Sequence, residues 1–166
     1  RKFYQVLAWP KRIAEEMGIE GVHGMLLELF TVKESFFTAV EVVAGNQLFQ
    51  VVVDSDDIAA RLMRELQKAN AGRVTFMPLN RLKPGPDPQY PDDPQTSKFC
   101  VPIMKEMTFD PKFRPAIAQV FRKSLVVKDL EIGSRFSRSH NLHCVTIQGD
   151  QVNDRGAISG GYLDIR

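Results

Sequence analysis

"VVVDSDDIAARLMRELQKANAGRVTFMPL", residues 51–79, sets an apolar run, an acidic turn, a long amphipathic stretch and a second apolar run in that order. Three consecutive valines favour a buried strand. Asp54 or Ser55 then offers a side-chain oxygen to the first free amides of a helix, and Asp56 and Asp57 stand where the helix dipole welcomes negative charge. Ile58, Leu62, Leu66 and Ala69 recur at a spacing that lines one helical face, and Gly72 closes the segment. "VTFMPL" (74–79) reads as the returning strand. A strand–helix–strand unit of this length favours parallel pairing through a right-handed crossover.

The same order returns later in the chain. "SLVV" (124–127) reads as a strand, "KDLEIGSRFSRSH" (128–140) as a helix turning Leu130, Gly133 and Phe136 inward, and "CVTI" (144–147) as a strand. Val52 and Thr75 are 23 positions apart, and Val126 and Thr146 are 20 apart, so the spacing nearly repeats. The expectation is a weak internal duplication giving two related lobes of mixed sheet with flanking helices, an α/β to α+β class. Residues 83–95, "KPGPDPQYPDDPQ", carry five prolines and no apolar pattern, and read as a linker or a long surface loop.

Outward from these units, residues 1–17 read as a helix interrupted at Pro10, with Val6, Leu7, Ile13 and Met17 apolar and Gly18 as its stop. "GMLLELF" (24–30) and "LFQVVV" (48–53) read as strands. "SFFTAVEVVAG" (35–45) reads as a helix capped by Ser35, with Phe36, Val40, Val43 and Ala44 at helical spacing and Gly45 as its end. "PAIAQVF" (115–121) reads as a short helix. The resulting division is 1–18, 19–82, 83–95 and 96–166. Opening on Arg1 and closing on Arg166, the sequence reads as a piece of a longer chain.

The 166 residues are 43% hydrophobic and 25% charged, ordinary for a globular protein, and no apolar run approaches the ~20 residues of a membrane span. Cys100 and Cys144 make no disulfide framework and read as buried reduced thiols. The net charge of +2 is too small to mark a nucleic-acid binder, but residues 112–138 hold seven basic side chains against two acidic ones. Lys112, Arg114, Lys123, Arg135 and Arg138 from this stretch are the candidate DNA contacts, set against a plain solvated face.

Three segments invite a chemical reading. "HNLHC" offers His140, His143 and Cys144, but zinc needs four ligands, or three and a water, and only His23 and Cys100 remain elsewhere. A helix end followed by a buried strand cysteine accounts for it better. Asp54 to Asp57 at a strand end could hold Mg²⁺, yet helix capping explains them without a metal. "DRGAISGG" (154–161) lacks the Lys-Ser/Thr of a phosphate loop. Its glycines permit close approach of a second backbone, and Ile158 supplies one apolar knob. An exposed strand edge of this kind adds to a partner's sheet, and the alternative is a simple glycine hairpin.

Several blocks then decide the matter in combination: "VVVDSDD", "GRVTFMPLN" and "GDQVNDRGAISGG", standing in order between about Gly21 and Gly161. Together they resemble the hinge domain of SMC chromosome-organising ATPases. Arg122 departs from the pattern, standing where the family usually has glycine, and Ser159 stands where threonine is common. The resemblance implies a non-catalytic half-ring hinge of two lobes, with residues 1–18 as the end of an incoming coiled-coil helix whose later turns pack against the second lobe, and with both chain ends on one side. It implies no cofactor and no metal. It implies a heterodimer with the hinge of the first SMC subunit of cohesin and a nuclear, chromosome-associated place, and leaves the isolated chain as either a monomer or a weak homodimer. Carried over by position, the dimer surface is Gly156, Ala157, Ile158, Ser159, Gly160 and Gly161. The rival functions are an independent DNA-binding module and a small metal-dependent enzyme.

Overall fold

The computed structural model describes residues 9–92, 95 and 97–161. Val6 and Leu7, and the expected closeness of the two chain ends, lie outside the described residues. In chain order, α1 (Trp9–Glu16) leads to β1 (Val22–Met25), β2 (Phe30–Val32), α2 (Phe37–Ala44), β3 (Val51–Val53), α3 (Asp56–Lys68) and β4 (Phe76–Pro78). After the proline-rich stretch come β5 (Cys100–Pro102), β6 (Met107–Phe109), α4 (Arg114–Phe121), β7 (Ser124–Val127), α5 (Leu130–His140), β8 (His143–Thr146), β9 (Gln151–Val152) and β10 (Ile158–Ser159). The class is mixed α/β. From β1 onward the sequence strand, strand, helix, strand, helix, strand occurs twice over, and the hairpin β9–β10 follows the second copy.

The chain folds into two compact units, and the repeats trade helices between them. One unit takes Arg1–Thr31, Asn46–Pro84 and Phe109–Gln119; the other takes Val32–Gly45, Gly85–Thr108 and Val120–Arg166. Thus α2, encoded in the first repeat, belongs to the second unit, and most of α4, encoded in the second repeat, belongs to the first. One crossing falls inside the proline-rich stretch. The other four do not coincide with any composition signal, so a single cut at residues 83–95 does not describe the division.

In the first unit the sheet order is β1-β3-β4. β3 runs parallel to β4, with Val52 opposite Met77, as the strand–helix–strand spacing requires, and β1 lies antiparallel on the other side of β3. α3 starts on Ser55, whose hydroxyl accepts from the Ile58 amide at 3.3 Å. Its inward face is Ala59, Leu62 and Leu66, and the two leucines pack with Ala14 and Ile19. Burying each leucine stabilises the unit by about 1.5–3 kcal/mol. Ala69 is an exposed cap residue rather than a stripe member, because Asn70 turns left-handed (φ 52) and ends the helix before Gly72. α1 packs through Ala14 onto this same cluster, not onto the second lobe, and Met17 is left 51% exposed.

Three sequence expectations shorten for local reasons. "GMLLELF" is two strands, because the Glu28 carboxylate accepts from the Met25 amide at 3.1 Å and curls Leu26–Leu29 into a 3₁₀ turn. "LFQVVV" narrows to Val51–Val53, since Gly45–Phe49 also coil as 3₁₀. Ser35 lies inside a 3₁₀ turn over Glu34–Phe36, and α2 begins after Phe36 with no side-chain cap.

The second unit has a five-stranded sheet, β10-β9-β8-β7-β5. β7 and β8 are parallel with Val126 opposite Val145, and β5 is antiparallel to β7, so β5-β7-β8 repeats the arrangement β1-β3-β4. α5 is capped by Asp129, which accepts from the Ile132 amide at 2.9 Å, and ends on left-handed Asn141 (φ 56), as α3 ends on Asn70. Phe136 packs with Leu125, Val127, Leu142 and Cys144. Arg122 explains its own departure from glycine. Its guanidinium donates to the Pro86 carbonyl at 2.7 Å, and its carbonyl accepts from the Tyr90 hydroxyl at 2.5 Å, so it fastens the proline-rich stretch to this unit.

Candidate functional site

The glycine-rich segment forms the outer arm of the β9–β10 hairpin, at the end of the second unit's sheet. Asn153 builds the turn. Its side-chain oxygen accepts from the amides of Arg155 (3.0 Å) and Ala157 (2.9 Å), its carbonyl accepts from Gly156, and its amide donates to Ala157. Gly156 sits at φ 92, a conformation side chains resist. Thr146 and Asp150 close the preceding loop through the bond from the Thr146 amide to the Asp150 carbonyl (2.8 Å) and the return bond from the Asp150 amide to Thr146 Oγ1 (3.1 Å). The Asp150 carboxylate then accepts from the Gly161 amide at 3.4 Å, and a Cβ on Gly160 would collide with that carboxylate. These glycines let the strand lie against Asp150, and among the described residues no strand pairs with its far edge.

Alternation along the hairpin divides its faces. Ile158 pairs with Val152, and both turn toward α5, lining a groove of about 420 Å³ with Ser134, Ser137, Arg138 and Arg155. Ser159 pairs with Gln151, and both turn toward α2, beside Glu41 and Val42. Val152 is buried, whereas Ile158 is 63% exposed, and every residue from Arg155 to Gly161 is exposed. An apolar side chain held in water on an edge strand is a contact surface awaiting cover.

The first unit has its own open edge. Superposing the repeats by sequence sets Val53 on Val127, Ser55 on Asp129 and Phe76–Pro78 on Cys144–Thr146, from the strand registers. In the second unit β9 covers the outer side of β8, with Cys144 opposite Val152. Among the described residues no strand covers the equivalent side of β4. An open groove of about 660 Å³ runs there, lined by Ala59, Met63, Leu66, Val74 and Phe76, with Met63 42% exposed and Arg73 at its rim. Pro78 closes the strand with no amide to donate, a residue suited to an edge.

The other candidate residues do not converge. His140 Nδ1 meets Ser139 Oγ at 2.6 Å, His143 Nε2 meets the Gln151 side chain at 2.8 Å, and Cys144 is buried in the core. Burial pushes the Cys144 thiol up to about 12, with nearby Cys100 adding to the effect, and burial also raises Cys100. Asp54 accepts from His23 (2.7 Å) and lies 3.8 Å from Lys112, while Asp56 bonds Asn80, which holds its carboxyl below the usual range. Among the described residues no group of three or more His, Cys, Asp or Glu is arranged to hold a metal, and no helix is long and apolar enough to cross a membrane. Of the basic candidates, Lys112 and Arg114 belong to the first unit, and Lys123, Arg135 and Arg138 to the second.

Sequence reasoning missed the β4 edge and its groove, and with them Met63 and Arg73. It also missed Asn153 and Asp150, although "GDQVND" ahead of the glycines carries the turn signal that could have found them.

The family model for the flexible hinge domain of SMC proteins matches residues 19–137. Structural maintenance of chromosomes protein 3 of Arabidopsis thaliana is 46% identical over 156 residues, covering 94% of this chain and 12% of that protein. The chain therefore spans about an eighth of such a relative. A structure of the folded elbow of cohesin matches with a TM-score of 0.82 at 40% identity, over 95% of this chain and 22% of the other. An asymmetric dimer of the Geobacillus stearothermophilus SMC hinge domain matches with a TM-score of 0.76 at 25% identity, over 93% of this chain and 65% of the other.

Proposed function

This chain belongs to the SMC hinge family, and on that premise we propose that it is the dimerisation hinge of a cohesin third SMC subunit, pairing with the hinge of the first SMC subunit. The observation that carries the reading is a matched pair of edges left open among the described residues: β10 in the second unit, and β4 in the first, where the repeat leaves out the strand that β9 supplies to β8. The partner's glycine strand adds to β4, and β10 adds to the partner's equivalent of β4. Main-chain hydrogen bonds hold each junction, and the apolar knob of one strand fills the groove of the other. The contact residues are Gly156, Ala157, Ile158, Ser159, Gly160 and Gly161 on one side, and Phe76, Met77 and Met63 on the other.

The role is mechanical. The hinge holds two SMC arms together at a chromosome in the nucleus and closes a ring that entraps DNA for sister-chromatid cohesion. It performs no catalysis, and the family's ATP chemistry resides outside this chain. A weak, sequence-independent contact with DNA through Lys112, Arg114, Lys123, Arg135 and Arg138 accompanies it, supported by the local basic excess.

A lasting pair of this kind buries on the order of 1,600 Å² in total, shared here between two junctions. Gly160→Arg and Gly161→Arg place bulk and charge where two backbones meet, so each weakens binding to the partner hinge by at least ~2 kcal/mol, about 30-fold. Unchanged affinity in both variants, measured by titration calorimetry, overturns the assignment.

A further inference from the structure

The charge on the two edges has a direction. Ile158 turns toward α5, into a groove whose charged residues are Arg138, Arg155 and Asp154, a net positive surface with both guanidinium side chains exposed. The groove beside β4 lies on the α3 side and carries Arg73 as its only charged lining residue among those described, again exposed. Both interface grooves of this one chain are therefore basic.

Geometry decides which grooves meet. The crossovers β3–α3–β4 and β7–α5–β8 are of the same kind, and such connections share one hand. When β10 of one molecule is laid antiparallel on β4 of another, as β9 lies on β8, the helices α5 and α3 fall on the same side of the joined sheet. The Ile158 face then turns into the β4 groove, and Arg138 and Arg155 approach the position of Arg73. In a self-pair both junctions set basic groove against basic groove.

We propose that Arg73, Arg138 and Arg155 are specificity residues that disfavour self-pairing, and that the hinge this chain selects presents carboxylates at the position of Arg73, in the groove flanking its own open strand. The inference rests on the strand-addition reading above. Like charges facing across an interface discriminate against the wrong partner, and opposite charges at the same place reward the right one. The face turned toward α2, with Glu41, Gln151 and Ser159, takes no part in this selection.

The test uses the chain itself, by sedimentation velocity across a concentration series. Arg73→Glu alone should strengthen self-association at least about ten-fold, because it repairs both junctions of the symmetric pair. Arg138→Glu with Arg155→Glu should do the same from the other side. All three substitutions together should return the chain to the weak association of the parent, because acid then faces acid. Self-association of Arg73→Glu no stronger than that of the parent overturns the charge proposal. Gly160→Arg distinguishes this from failure of the strand reading. If Gly160→Arg still breaks binding to the partner hinge, the strand reading stands without the charge rule. If the gain from Arg73→Glu survives addition of Gly160→Arg, the strand reading itself fails.

Discussion

Ile158 and Val152 face each other across the hairpin with the same chemistry and opposite environments, which makes them a controlled pair. Ile158 retains 63% of its surface and Val152 retains 1%. Covering a fully exposed isoleucine is worth roughly 2 kcal/mol, so covering the exposed part of Ile158 is worth about 1.3 kcal/mol, close to ten-fold in Kd. Ile158→Ala should therefore weaken pairing with the partner hinge by about ten-fold while leaving the melting temperature of the lone chain within a degree or so. Val152→Ala should do the reverse to stability, because it opens a hole between the sheet and α5 and costs about 1–2 kcal/mol of folding free energy. Calorimetric titration gives the affinities, and thermal unfolding of each variant alone gives the stabilities. A chain whose Ile158→Ala variant binds its partner unchanged has no strand contact at that face. An Ile158→Ala variant that unfolds as readily as Val152→Ala points to a core role for the residue instead.

Asn153→Ala removes the acceptor of two turn amides and should lower affinity for the partner hinge several-fold by loosening β10, with amide hydrogen exchange of Arg155 and Ala157 rising together. Cys144, with its thiol raised to about 12, should resist alkylation at pH 8 until the chain unfolds, whereas the less buried Cys100 reacts first; equal rates in the folded chain contradict the burial described here. Charge reversal of Lys123 and Arg135 together should cut non-specific DNA binding several-fold and flatten its dependence on salt, read by fluorescence anisotropy with pairing intact; binding that ignores salt removes DNA contact from the reading.

The strand–helix–strand units were legible because each is local: a valine run, a capping side chain and a 3.6-residue stripe all sit within about thirty residues. Ser55 and Asp129 cap as their types predict, and the parallel pairings follow from the spacing. What escaped was non-local. The destination of α2 depends on which unit offers a complementary surface, and "SFFTAVEVVAG" carries no trace of that choice. The β4 edge escaped for a related reason: "VTFMPL" reads alike whether a strand covers it or not, and only comparison with β8 shows that one is missing among the described residues. In the glycine segment the pattern predicted close approach of a second backbone, whereas the neighbour found at Gly160 is the chain's own Asp150 carboxylate, and among the described residues no strand lies on the outer edge of β10. The basic stretch 112–138 looked continuous in sequence, yet it divides between the two units because Phe109–Gln119 is lent to the first.

That loan also bears on origins. Two copies of one motif that each surrender the same helix to the other have the topology of a swapped homodimer. Fusing the end of one copy to the start of the next, through a stretch as tolerant as "KPGPDPQYPDDP", makes such a dimer covalent without altering any fold. Neither repeat would then be a complete domain on its own, since each would lack the helix its sister provides. Nicking the chain within the proline stretch should leave two fragments that stay entwined, and either fragment expressed alone should seek a second copy of itself.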